Sequence, residues 1–125
     1  MVSKTTFERL GGFARVRLIV SDFYEKVLES PRLARHFANT DMRRLIDHQT
    51  KFMAAIMGGP AAFSDEQMAR AHLRLGITPE EFDELAGLLR ETLEDVEVPP
   101  LDIERLCAEV AGMRRLVVAG PEAVP

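Results

Sequence analysis

Apolar residues recur at the three- and four-residue spacing of a helix along nearly the whole chain, and nowhere do they alternate in the sustained manner of a half-buried strand. That spacing predicts an all-helical fold. A short first helix is expected from Thr5 to Leu10, stopped by Gly11-Gly12. A long helix follows, with Phe13, Val16, Val20, Phe23 and Val27 on one buried stripe and Tyr24 at the edge of it. Pro31, after Ser30, opens a short helical turn carrying Leu33 and Phe37. Asp41 reads as the N-cap of a helix whose inner face runs through Met42, Leu45, Ile46, Gln49, Phe52, Met53 and Ile56, and Gly58-Gly59-Pro60 stops it. A short helix is expected around Met68, His72 and Leu75, before Gly76. Thr78-Pro79-Glu80-Glu81 has the form of a capping box with Pro at the first helical position, opening a helix that presents Phe82, Leu85, Leu89 and Leu93. Pro99-Pro100 separates it from a last helix with Ile103, Leu106, Cys107, Val110, Met113 and Val117.

With 125 residues, 46% hydrophobic and 29% charged, the chain fits one domain over 1–125, with a core over about 5–118 and a frayed tail at 119–125. A formal net charge of −4 argues against a nucleic-acid partner, because binding phosphates takes a concentrated basic face. The longest apolar candidate, Phe52 to Phe63, is interrupted by Gly58-Gly59-Pro60 and falls short of the ~20 residues that cross a bilayer, so no membrane association is expected. Met1 to Thr6 lacks the features of a secretory signal, and the single Cys107 has no partner for an internal disulfide; both suit a reducing cytoplasm.

Three polar residues stand where the helical pattern asks for apolar ones. Gln49 lies within the most apolar face of its helix, His72 interrupts the stripe between Met68 and Leu75, and Tyr24 is the only tyrosine. Each alone has an ordinary reading: a hydrogen-bonded core histidine, a glutamine bonded to a carbonyl, a boundary tyrosine with a wet hydroxyl. Together they suit one apolar cavity with a nitrogen ligand on one side and two hydrogen-bond donors on the other. Haem iron takes neutral imidazole as an axial ligand and leaves the opposite position open for a gas. Oxygen bound there gains negative charge, which O–H and N–H donors stabilise. Phe37, Leu45, Phe52, Met68, Ile77 and Phe82 are candidates to line the slot for the flat ring. Other chemistries lack their signatures: there is no CxxC, HExxH, G-x-S-x-G or P-loop, and His36, His48 and His72 do not fall at zinc-motif spacing. The acidic run from Glu80 to Glu97 reads as a solvated helix face.

These residues identify a family. Phe7-Glu8-Arg9-Leu10-Gly11-Gly12, Asp22-Phe23-Tyr24, Phe37 followed by Thr40-Asp41-Met42, His48-Gln49, Gly58-Gly59-Pro60, and Ala71-His72 leading into Leu75-Gly76-Ile77-Thr78 occur in the order and spacing of a group I truncated haemoglobin. The resemblance runs from Phe7 to about Val118 and implies a two-over-two helical sandwich around one haem b (iron protoporphyrin IX). It assigns His72 as the proximal iron ligand, Phe37 as the phenylalanine packed on the haem, and Tyr24 and Gln49 as the distal groups that hold the gas. It puts Thr40 and Arg44 near the haem propionates and the glycine pairs at the sharp helix turns. Leu45 stands where a full-length globin has its distal histidine. His48 matches a position at which some cyanobacterial relatives carry a second iron-ligating histidine; its other reading is a solvent- or propionate-facing residue. Met53 replaces a phenylalanine that lines a gas tunnel in some relatives.

The resemblance implies binding of diatomic gases (oxygen, nitric oxide, carbon monoxide). It also implies nitric oxide dioxygenase activity that depends on an external reductase, since no flavin or nicotinamide motif is present. An alternative is a six-coordinate sensor or electron carrier using His48 and His72. A cofactor-free helical interaction module is a third reading, which leaves Gln49 and His72 unexplained. A monomer or weak dimer is expected.

Overall fold

The computed structural model describes residues 4–59 and 76–114, and these contain helices and no strand. Helix α1 spans Thr6–Leu10 and starts from a capping box in which Glu8 N–H donates to the Thr5 hydroxyl and the Thr5 N–H to the Glu8 carboxylate. Gly11, at φ 113°, ends α1 and caps α2, Gly12–Glu29. An L side chain is strained at that angle, so this turn depends on glycine. Ser30 is extended ahead of Pro31, as the residue before a proline prefers, and α2 ends there. Pro31 then opens α3, Pro31–Ala34, which tightens into a 3-10 turn over Arg35–Phe37.

Helix α4 covers Met42–Ile56, with the Asp41 carboxylate accepting from the Arg44 N–H at its start. Past its end, Gly59 lies so close to Phe7 that a Cβ would stand 2.8 Å from the ring. The Phe7 N–H also donates to the Met57 carbonyl, so α1 is pinned to the end of α4. Helix α5, Pro79–Asp95, begins with the expected Thr78/Glu81 capping box, and α6, Pro100–Ala111, begins with Pro100 after Pro99. The short helix expected around Met68, His72 and Leu75, and Val117 in the last one, lie outside the described residues.

Helix α2 packs against both α4 and α5, α5 packs against α6, and α1 lies against α2. This is the two-over-two arrangement of α2/α4 and α5/α6. Val16, Ile19, Val20, Tyr24 and Val27 of α2 point into the core beside Leu33, Met57, Leu89, Leu93, Val98, Ile103 and Leu106. A smaller cluster forms around Ile77 and Phe82, with Phe52, Leu85, Val110 and Met113 against it.

Two expectations need correcting. Phe13 shares the azimuth of the buried stripe but stands in the first turn of α2, where Phe7 meets its ring edge-on at 4.9 Å and 43% of the residue stays exposed. Ile19 takes the inner position instead and is fully buried. In the acidic run, Glu81 does not belong to a solvated face: only 1% of it is exposed. Its side chain folds back to the helix start, and the 3-10 turn covers it.

Candidate functional site

A cavity opens where the two helix pairs meet. Ile19, Val20, Phe23 and Tyr24 of α2, Phe37 of the 3-10 turn, and Gln49, Phe52 and Met53 of α4 line it on one side. Ile77, Phe82, Leu85, Ala86 and Leu89 on and before α5, with Val110 and Met113 of and just after α6, line the other. Every one of these is apolar except Tyr24 and Gln49, and none is charged. Among the described residues the polar groups therefore sit on the α2/α4 wall, and those of the α5/α6 wall are aliphatic, aromatic or thioether side chains. Buried apolar walls exclude water and strengthen whatever hydrogen bond Tyr24 or Gln49 gives to a guest.

Tyr24 is 7% exposed, and two rings hold it edge-on: Phe23 at 4.9 Å and Phe37 at 5.9 Å, both at angles above 70°. Burial pushes its phenol well above the ordinary tyrosine value, so at neutral pH the hydroxyl keeps its proton and is a donor. It is also placed by its helix: Tyr24 follows Val20 by four residues and precedes Val27 by three, both of which are buried.

Of the residues singled out in the sequence, the structure brings Tyr24, Phe37, Gln49, Phe52, Ile77 and Phe82 together around this cavity. Leu45 is half-buried and packs against the main core without lining the cavity. Thr40 is half-buried in the turn before α4, and Arg44 and His48 are exposed on α4. His72 and Met68 lie outside the described residues. Ile19, Leu85, Leu89, Val110 and Met113 also line the cavity and carry no signal in the sequence beyond that of ordinary core positions. Their helical spacing puts them on inner faces, but which inner faces meet at a cavity is set by how the helices cross. Among the described residues no three His, Cys, Asp or Glu side chains converge as a metal-binding group would need. No helix there is long and apolar enough to cross a membrane.

A family profile described as bacterial-like globin matches residues 5–119. The chain belongs to that family. The globin is 38% identical to the group 1 truncated haemoglobin of Synechocystis sp. over 87% of its own length and 88% of that protein. With the group 1 truncated haemoglobin of Tetrahymena thermophila it shares 35% identity, over 75% and 78% of the two chains. The globin also superposes on the crystal structure of the 2/2 haemoglobin from Synechococcus sp. PCC 7002, a cyanomet form with covalently attached haem. There the TM-score is 0.85 and the identity 36%, with 92% of this chain and 98% of that one covered. It is thus a two-over-two truncated globin, from a family of haem-based gas binders.

The described lining fits that cofactor. A flat, apolar ring system asks for aromatic and aliphatic walls free of charge, and a gas on its iron asks for a donor on one face only. Both features are present, the second in Tyr24 and Gln49.

Proposed function

We propose that this globin binds oxygen on haem b and uses it to oxidise nitric oxide to nitrate, with a separate reductase supplying the electron. The observation that carries the reading is the position of Tyr24, a protonated phenol among described cavity residues that are apolar apart from Gln49. When bound, the haem would supply an iron able to take a diatomic gas.

The chain's own residues have distinct tasks in this reading. His72 would hold the iron through its imidazole. Phe37, Phe52, Ile77 and Phe82 clasp the ring and keep water out of the slot, with Met68 extending the apolar wall, while Leu45 backs the core behind it. Tyr24 donates its hydroxyl proton, and Gln49 its amide, toward the negative charge that develops on oxygen. Thr40 and Arg44 meet the propionates. His48 is exposed on α4, and that exposure supports the solvent- or propionate-facing reading over the six-coordinate alternative. In the overall reaction nitric oxide, dioxygen and one electron give nitrate. The electron donor, the cytoplasmic setting and a monomer or weak dimer belong to the same proposal.

Reconstitution with haem tests it. The wild-type protein should take up one equivalent with a sharp Soret band, and His72→Ala should lose stable uptake. Tyr24→Phe should keep haem but release oxygen about 10-fold faster or more, the worth of a hydrogen bond to a charged acceptor. Unchanged haem retention in His72→Ala, or an unchanged oxygen off-rate in Tyr24→Phe, would remove those residues from the site.

A further inference from the structure

The cavity's two aromatic walls come from segments far apart in sequence, and a buried hydrogen-bonded carboxylate joins them at their base. Glu81 is the residue before Phe82, and His36 is the residue before Phe37. His36 Nε2 lies 2.8 Å from Glu81 Oε2, with 11% and 2% of the two side chains exposed. The same oxygen accepts from the Arg35 guanidinium at 3.1 Å, and Oε1 accepts from the Thr78 N–H at 2.9 Å. Outside this buried contact, the exposed Arg32 donates to Glu84 and to the Glu80 carbonyl, and Ser30 donates to Glu84 at 2.7 Å. The whole α3 and 3-10 segment is therefore laced to the first two turns of α5.

We infer that His36 and Glu81 are positioning residues of the haem cavity, whose hydrogen bond fixes the Phe37 wall against the Phe82 wall and so governs how tightly the ring is held. The inference rests on this cavity being the haem site proposed above. The physical ground is leverage: Phe37 and Phe82 are each one residue from a member of the pair and are each 5% exposed. A 3-10 turn of three residues has little internal hydrogen bonding of its own to hold a ring in place. Tyr24 is tied in as well, through its edge-on contact with Phe37. Arg9 and Asp102 form a second ion pair with a buried carboxylate, joining α1 to α6, and neither residue lines the cavity.

The test measures haem transfer from reconstituted protein to an excess of a haem-scavenging apoprotein. His36→Ala should lose haem about 10- to 100-fold faster, the range for losing a buried hydrogen bond to a charged group. His36→Gln, which restores an N–H donor of similar reach, should return close to the wild-type rate. Arg9→Ala should lower the melting temperature yet keep the wild-type rate of haem loss. A wild-type rate in His36→Ala, or a rate in Arg9→Ala as fast as in His36→Ala, would overturn the assignment. Should His36→Ala not fold, Glu81→Gln carries the same expectation and the same refutation.

A readout without haem separates this inference from the reading it rests on. The chain has one tyrosine and no tryptophan, so intrinsic fluorescence of the haem-free protein reports Tyr24 alone. Acrylamide should quench it more strongly in His36→Ala than in wild type or His36→Gln. Equal quenching in all three would reject the tie between the walls, whereas failure of wild-type protein to take up haem would reject only the haem site.

Discussion

Helices α5 and α6 start from nearly the same local sequence and end up held in different ways. Each has proline at its first position and an acidic residue at its third, Glu81 in one and Asp102 in the other, and both acids are buried. Thr78 precedes α5, so Glu81 closes a capping box and satisfies the helix start within its own turn. Its second oxygen is then left for His36 and Arg35. Pro99 precedes α6 and has no backbone N–H for the acid to accept from, so Asp102 gives both oxygens to the Arg9 guanidinium at 2.8 Å each. One carboxylate does local and tertiary work together, beside the cavity. The other does tertiary work alone, outside the cavity lining. An acid in the first turn favours the helix through its dipole in both cases, but the residue ahead of the helix decides what the acid is free to bind.

The largest way to break this contrast is to remove the acids. Glu81→Ala should cost about 2–3 kcal/mol of stability, since it strips a capping-box partner and a buried acceptor at once. Asp102→Ala should cost less, because it leaves the start of α6 as it was. Urea unfolding of the two variants gives the comparison, and equal losses would mean that the capping box adds nothing to the buried contact.

Acid titration sharpens it. Burial works to raise the Glu81 carboxyl, but the Thr78 backbone N–H, His36, Arg35 and the Thr78 hydroxyl outweigh it and hold the group down to about 2 from an ordinary 4.5. A carboxyl lowered on folding adds stability that is fully present above the unfolded value and is lost as pH falls through the folded one. The stability advantage of wild type over Glu81→Gln should therefore shrink between pH 4.5 and about 2. An advantage that stays constant to the bottom of that window would show that the charge of Glu81 is not what holds it. The smallest effect is expected from Thr78→Ala, which removes the side-chain acceptor at the start of α5 and leaves its backbone N–H to Glu81. It should cost about 1 kcal/mol, the usual worth of a helix N-cap. No loss would mean that the ties to His36 and Arg35 suffice alone, as the Arg9 tie does for α6.

Much of the molecule is local enough to be read along the chain. The Thr78-Pro79-Glu80-Glu81 start of α5, the Asp41 cap of α4 and the Gly11-Gly12 break follow from hydrogen bonds and backbone angles within a few residues of each other. Tyr24 and Gln49 stood out because helical spacing put polar groups on apolar faces. His36 gave no such signal: it lies in a short turn with too few residues to show a period, and its partner is 45 positions away. Glu81 was half legible, as a capping residue whose backward fold is encoded locally and whose burial is not.

The sequence by itself determined the described helices, their ends and most of the stripes they bury, because those depend on periodicity and on capping within a turn. It also determined the family, through the order and spacing of its markers. The tertiary structure alone decided that Phe37 and Phe82 face each other across one cavity and that Phe13 stays at its surface. It also decided that two similar helix starts send their acids to different cations. Those outcomes depend on which faces the crossing helices bring together, and a pairing between residues far apart in the chain leaves no trace in the local pattern of either.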